Sequence, residues 1–229
     1  MCKFFSLVSD PKLDKIMYFD WPLREKVLKG ELQQYESDSH TSIADYFGYK
    51  SKKEDILNKY EYNPLTKEFV VDQLNSDDDT KKVKGFCLNL DFKTIVPQLL
   101  IKPIVHPFEI ESPKITKEHL KLLKNWASVR DSVGSVRDSV WYSVGSVRDS
   151  VWYSVRDLVW SVWYSVWDSV WAYTGSFFTL PRWHYIKHKK GQYPFQSCVD
   201  LWEQGIVPSY DGKIWRLHTK NGIAWEGVI

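Results

Sequence analysis

The sequence predicts an α+β protein with a small N-terminal α+β domain (1–112), one long repeat helix (113–175) and a small C-terminal β-rich module (176–229). Three observations carry that reading. Valine recurs at an α-helical interval through residues 128–173. Short runs rich in Val, Ile, Tyr, Phe and Trp stand on either side of it, bounded by Pro, Asp-Gly and Asn-Gly. Polar caps and C-terminal glycines frame brief helical segments among those runs.

The repeat consists of units such as SVRD, SVG and SVWY, three or four residues long with Val second. The valines are Val129, Val133, Val136, Val140, Val144, Val147, Val151, Val155, Val159, Val162, Val166 and Val170. From 129 to 170 they cover 41 residues in 11 steps, about 3.7 residues per step and near the ~3.6 of an α-helix. Two consecutive 11-residue copies, 135–145 and 146–156, keep one apolar seam on a helix that supercoils to the right. The alternative is extended chain. Val, Trp and Tyr favour strands, and Gly134 and Gly145 could turn the chain where a three-residue step flips Val to the other face. Short strands or a β-solenoid therefore compete with the helix. The upstream segment favours the helix: Thr116 is an N-cap, Glu118 lies in the first turn, and Leu122 and Trp126 lead into Val129 without a break in phase.

A helix over about 116–175 would be roughly 90 Å long at ~1.5 Å per residue. Its Val and Trp would face water unless other helices covered them. The expectation is self-association into a parallel bundle with the valines as the oligomer seam. A hairpin within one chain, turning at Gly134 or Gly145, is the alternative. Arg130/Asp131, Arg137/Asp138 and Arg148/Asp149 would then be available for cross-chain pairs that set register.

The remaining composition excludes more than it nominates. The net charge of +2 is near neutral, so bulk electrostatics nominates neither a nucleic-acid nor an acidic partner, and nucleic acid is not the expected one. Of twelve Trp, seven lie in or beside the repeat, so the aromatic load belongs to that stretch. Three scattered cysteines, Cys2, Cys87 and Cys198, suit a reducing compartment. The opening MCKFFSLVSD lacks the length and cleavage site of a secretory signal, and no run reaches the ~18 apolar residues of a membrane span. A cytoplasmic location is expected.

In the N-terminal domain, residues 3–8 and 16–21 read as a hairpin turned by Asp10-Pro11. Pro22 opens a helix that ends near Gly30, the segment 43–48 is a short helix ending in Gly48, and 52–58 is a further helical piece. Residues 60–64 and 68–72 form a second hairpin, 81–88 a helix capped by 76–80, and 95–104 a buried apolar run. Four constellations carry chemically capable residues. Loss of Met1 would expose Cys2 as a nucleophile, the basis of an enzyme alternative. Asp38, Ser39 and His40 are triad residue types, but adjacent residues rarely orient one another as a triad requires, so a helix cap is the better reading. Asp77, Asp78 and Asp79 fit no Ca²⁺ loop and read as a helix N-terminal cluster. His184 and His188 have i, i+4 spacing, but their segment alternates like a strand. No metal and no cofactor is nominated.

In the C-terminal module, residues 182–190 (RWHYIKHKK) mix cations with aromatics. Arg182, Lys187 and Lys189 could meet phosphates or an anionic surface, although a solvated strand edge is the commoner origin of such a run. Residues 196–205 form a short amphipathic helix, and Asp211-Gly212 and Asn221-Gly222 are hairpin turns. Trp215 and Trp225 lie on the strands beside them, as core residues or as the lining of a ligand groove.

The MCKFF opening, the DSHTSIADYFG segment and the SV-x-D units resemble a set of uncharacterised bacterial or phage-borne proteins in which the number of repeats varies. The resemblance implies no activity and no site residue. The repeat spacing separately resembles hendecad coiled coils. At Met1-Cys2 the chain is similar to class II glutamine amidotransferases, but Lys3 stands where those enzymes carry glycine. The functional expectation is a structural or interaction protein that self-associates through the repeat and presents its end modules to a protein partner. The alternatives are an enzyme using Cys2, and a nucleic-acid or carbohydrate binder using the C-terminal module.

Overall fold

The structure, a computed structural model, describes residues 5–49, 55–111, 113–140, 144–153 and 163–229. The chain divides into two compact units, Met1–Ile101 and Lys102–Ile229.

The first unit is built on an antiparallel sheet of order β2-β1-β3-β4, with β1 (Phe5–Asp10), β2 (Lys15–Met17), β3 (Asn58–Asn63) and β4 (Glu68–Gln73). Every residue of the inner strand β1 is buried, so both sheet faces must be covered. On one face Val8 and Met17 pack with Val27 of α1 (Trp21–Leu28) and with Ile43 and Ala44 of α2 (His40–Tyr46). On the other, Phe5 meets Phe92 edge-on at 5.1 Å, and Val83 and Cys87 of α3 (Thr80–Asn89) are buried. Phe92 opens α4 (Phe92–Ile95). The local signals have physical counterparts here. Asp10 accepts hydrogen bonds from the amides of Lys12 and Leu13 and turns the first hairpin. Asp20 caps α1 ahead of Pro22, and Ser39 caps α2. Of the helical piece expected over 52–58, residues 52–54 lie outside the described residues, and Asn58 opens β3.

The second unit contains the repeat and the C-terminal segment together. Thr116 begins α5 (Lys117–Ala127) with a reciprocal cap in which the Thr116 amide donates to His119 Nδ1 at 3.1 Å. The chain then leaves the helix at Val129 (φ −120°, ψ −7°) and makes a 3-10 turn over Arg130–Ser132. It re-forms α6 (Gly134–Ser139), which ends at Val140 (φ −130°, ψ 60°). Two more helices follow, α7 (Val144–Tyr153) and α8 (Trp163–Gly175). Beyond them α9 (Gln196–Trp202) leads into an antiparallel meander of β5 (Val207–Tyr210), β6 (Trp215–Thr219) and β7 (Gly222–Gly227).

The long repeat helix is therefore overturned, and with it the hendecad coiled coil. The longest described helix, α8, has 13 residues. The β-solenoid is overturned too, since the described repeat residues contain no strand. The valine periodicity marked an inward face but not what would cover it. Ser, Val, Asp and Trp are middling helix formers, so local propensity does not hold a rod together. Folding back hides the seam inside one chain: Val133, Val136, Val140, Val147, Val151, Val166 and Val170 are all buried. At about 1.5 kcal/mol per buried Val, those seven contribute on the order of 10 kcal/mol before the entropy of ordering the chain is counted. Val129 is half-buried; Val155, Val159 and Val162 lie outside the described residues. Helix α7 packs on α8, with Trp152 against Trp167 at 5.5 Å. Helix α8 packs in turn on β5, where the Ser169 hydroxyl donates to the Pro208 carbonyl at 2.6 Å. Gly175 ends α8 where a side chain has no room: a Cβ there would collide with the Tyr193 hydroxyl and lie 2.9 Å from Val136 Cγ2.

Among the described residues, no helix is long and apolar enough to cross a membrane.

Candidate functional site

Between α8 and α9 the chain forms a loop over residues 181–192. The alternation in RWHYIKHKK suggested a strand, but no strand forms there. The loop closes on itself instead, the Gly191 amide donating to the Pro181 carbonyl at 3.2 Å and Gln192 to Lys189 at 3.0 Å. Gly191 takes a left-handed conformation (φ 76°), which a residue without Cβ adopts at no steric cost. Trp183 is the anchor: it is buried and meets Tyr193 edge-on at 5.0 Å. The Tyr193 hydroxyl donates to the Ala172 carbonyl on α8. The His184 amide donates to the Ser139 hydroxyl on α6 at 3.0 Å, so a repeat residue fastens the loop.

His188 braces it from within. The Trp183 amide donates to His188 Nε2 at 2.8 Å, which makes Nε2 an acceptor. Nδ1 then carries the proton and donates to the Lys189 carbonyl at 2.8 Å. Both ring nitrogens are thus used inside the loop. The i, i+4 pair of His184 and His188 is not on a helix, and no group of three or more metal-binding side chains occurs among the described residues.

The frame holds four cations outward. Arg182, Lys187, Lys189 and Lys190 are exposed, and residues 181–192 contain no Asp or Glu. None of the four has a carboxylate partner among the described residues. Tyr185 stands among them, 81% exposed, with a left-handed backbone at φ 60°. His184 is exposed beside it, its ring 5.8 Å from the Tyr185 ring and roughly perpendicular. Four exposed cations thus fall within nine residues, with an exposed aromatic ring between them in the chain, in a protein whose net charge is only +2.

The other residues singled out from the sequence take other places. Trp215 is 7% exposed and stacks on Tyr210 at 4.8 Å. Arg130 lies 4.8 Å from the Tyr210 ring and 6.0 Å from the Trp215 ring, and pairs with Asp168 at 3.3 Å. Burial pushes the Asp168 carboxyl up, while the Arg130 charge opposes the shift. Trp225 is half-buried, and its ring covers Gly227. In the first unit Asp38 makes a two-pronged pair with Arg24 at 2.6 and 3.1 Å. The neighbouring Ser39 caps α2, and His40 bonds the Tyr60 carbonyl through Nε2 at 2.9 Å. Asp79 accepts from Ser9, Asn58 and Tyr60, tying α3 to the sheet, and Asp78 accepts from the Thr80 amide at 2.9 Å. Cys2 lies outside the described residues. Cys87 and Cys198 are free and buried, and burial pushes both thiols up to about 12, far from a reactive thiolate.

The fold also makes one pair that no sequence signal announced. Ser209 and His218 share a hydrogen bond of 2.7 Å across β5 and β6. Burial first, and then the Arg216 charge, lowers His218 to about 4. These are nucleophile and base types in contact; Ser209 is 2% and His218 6% exposed, and their bond ties β5 to β6 in the core.

No known protein family, no curated protein and no solved structure matches this chain.

Proposed function

We propose that the chain is a binding protein that holds nucleic acid by its phosphates on the loop 182–190. The observation that carries this reading is the set of four exposed cations with no carboxylate partner among the described residues, on a loop closed by its own backbone and anchored through Trp183 and Ser139. The loop backbone is hydrogen-bonded before binding, so the ordering cost falls on the side chains, and each phosphate contact releases condensed counterions. The near-neutral total charge is compatible with such a site because the field is local. The burial of seven seam valines removes the support for a self-associating rod, so the role as an interaction protein rests on this loop. The filled surroundings of Trp215, with Tyr210 and Arg130 against it, favour phosphate over a sugar on the aromatic strands.

The test is fluorescence anisotropy of the full chain with a labelled oligonucleotide over a salt titration, beside the variant Lys187→Glu/Lys189→Glu. Binding should weaken with salt with a log–log slope of about −3 if all four cations meet phosphates, and the reversal should abolish it at low salt. No binding at low salt, binding indifferent to the reversal, or capture of a poly-glutamate peptide in place of the oligonucleotide would each overturn the reading.

A further inference from the structure

We infer that the nucleic acid taken by this loop is single-stranded, with one base stacked on the ring of Tyr185. The inference rests on the reading above and adds what the cations alone do not specify. A bulky residue in the left-handed region is an outlier, with a cost of order 1 kcal/mol. Tyr185 adopts it at φ 60° and gains no burial in return, since the ring is 81% exposed. The loop nevertheless holds that geometry from both sides. The His184 amide is tied to Ser139, and His188 is bonded to Trp183 and Lys189. Strain kept at an exposed aromatic is the pattern of a contact that is made only with a ligand. The ring already has cations near it in the chain, Arg182 three residues before and Lys187 two residues after. It also has an exposed imidazole beside it in His184.

The chemistry of the partner follows. A base offers a π-face of any sequence, and a ring set among cations that track phosphates is the arrangement that takes a single strand. A duplex keeps its bases stacked on one another and presents phosphates alone, which would engage the four cations and leave the ring of Tyr185 without a partner. The backbone that carries the ring is already held on both sides, so stacking requires ordering of the side chain but little further ordering of the main chain.

The experiment compares a labelled single-stranded oligonucleotide, its blunt duplex and inorganic polyphosphate, each titrated with the native chain, Tyr185→Phe and Tyr185→Ala. The expected result is tightest binding to the single strand and a loss of about ten-fold or more in Tyr185→Ala for that ligand alone. Tyr185→Phe should retain native affinity. The same thermal midpoint in all three proteins establishes that the fold is intact; a changed midpoint in Tyr185→Ala transfers the comparison to Tyr185→Leu, which keeps bulk and loses the π-face. Equal affinity for the three ligands, unmoved by Tyr185→Ala or Tyr185→Leu, would overturn the stacking inference and leave phosphate binding standing. No affinity for any of the three would overturn both.

Discussion

The tetrapeptide Ser-Val-Arg-Asp occurs at 128–131, 135–138, 146–149 and 154–157, and the fold puts the first three copies to different uses; the fourth lies outside the described residues. In the first, the helix has just ended. Arg130 turns onto the rings of Tyr210 and Trp215 and pairs with Asp168. In the second, inside α6, Arg137 is 63% exposed and bonds only to its neighbour Asp138 at 3.1 Å. In the third, on α7, Arg148 lies 5.7 Å from the Trp167 ring and 5.5 Å from the Trp171 ring. Identical local sequence therefore leaves the environment undetermined. What differs is the surface that each copy meets: solvent for Arg137, and for Arg130 and Arg148 rings supplied by residues at least 19 positions away. The valine differs least among the three: Val136 and Val147 are buried and Val129 is half-buried.

Substitutions can break that comparison, beginning with the shared valine. Val170→Asp places a carboxylate at a fully buried position on α8 and should cost about 4 kcal/mol or more. Chemical denaturation should then show the second unit unfolded or nearly so, whereas the solvent-facing substitution Arg137→Asp changes the midpoint little. The next largest effect lies in the meander that Arg130 covers. His218 is held neutral, its value lowered to about 4 by burial and by Arg216. Its contribution is complete above about pH 6.5 and is lost as pH falls toward about 4, in total about 3 kcal/mol. His218→Gln should flatten that part of the stability–pH profile, read as the difference between the two proteins' denaturation midpoints at each pH. A third contrast separates the copies themselves. Arg130→Ala removes a guanidinium from two rings and strands a half-buried Asp168, with a cost of about 1–2 kcal/mol. Arg137→Ala breaks an exposed pair and should cost less than about 0.5 kcal/mol. Equal effects at 130 and 137 would mean that the copies are not distinguished as described.

Much of the first unit was legible because its signals are local. Asp10-Pro11 turns a hairpin, Ser39 starts a helix, and the strands 58–63 and 68–73 match the second hairpin expected over 60–64 and 68–72. The repeat was legible only in part. Its helical period and the N-cap at Thr116 are physical, yet phase continuity from Trp126 into Val129 did not keep the helix going. Periodicity records which side chains avoid water, and a second segment of the same chain satisfies that demand as well as a second molecule does. The candidate site was legible in composition alone. Arg182, Lys187 and Lys189 could be read as cations among aromatics, but neither the closure between Pro181 and Gly191 nor the left-handed Tyr185 has a local sequence signal, and the His184 amide is held by a partner far along the chain. Ser139 is 45 residues from the amide that it holds.

The folding-back of the repeat fixes that loop, so it is the claim to test most directly. Spin labels placed through Arg148→Cys and Trp171→Cys, in a Cys2→Ser background with Cys87 and Cys198 shielded by burial, report the separation of α7 and α8. The Arg148 guanidinium lies 5.5 Å from the Trp171 ring, so the account predicts strong dipolar broadening between the two labels within one chain. A continuous helix would separate these positions by roughly 35 Å at ~1.5 Å per residue, and a distance near that value would contradict the account.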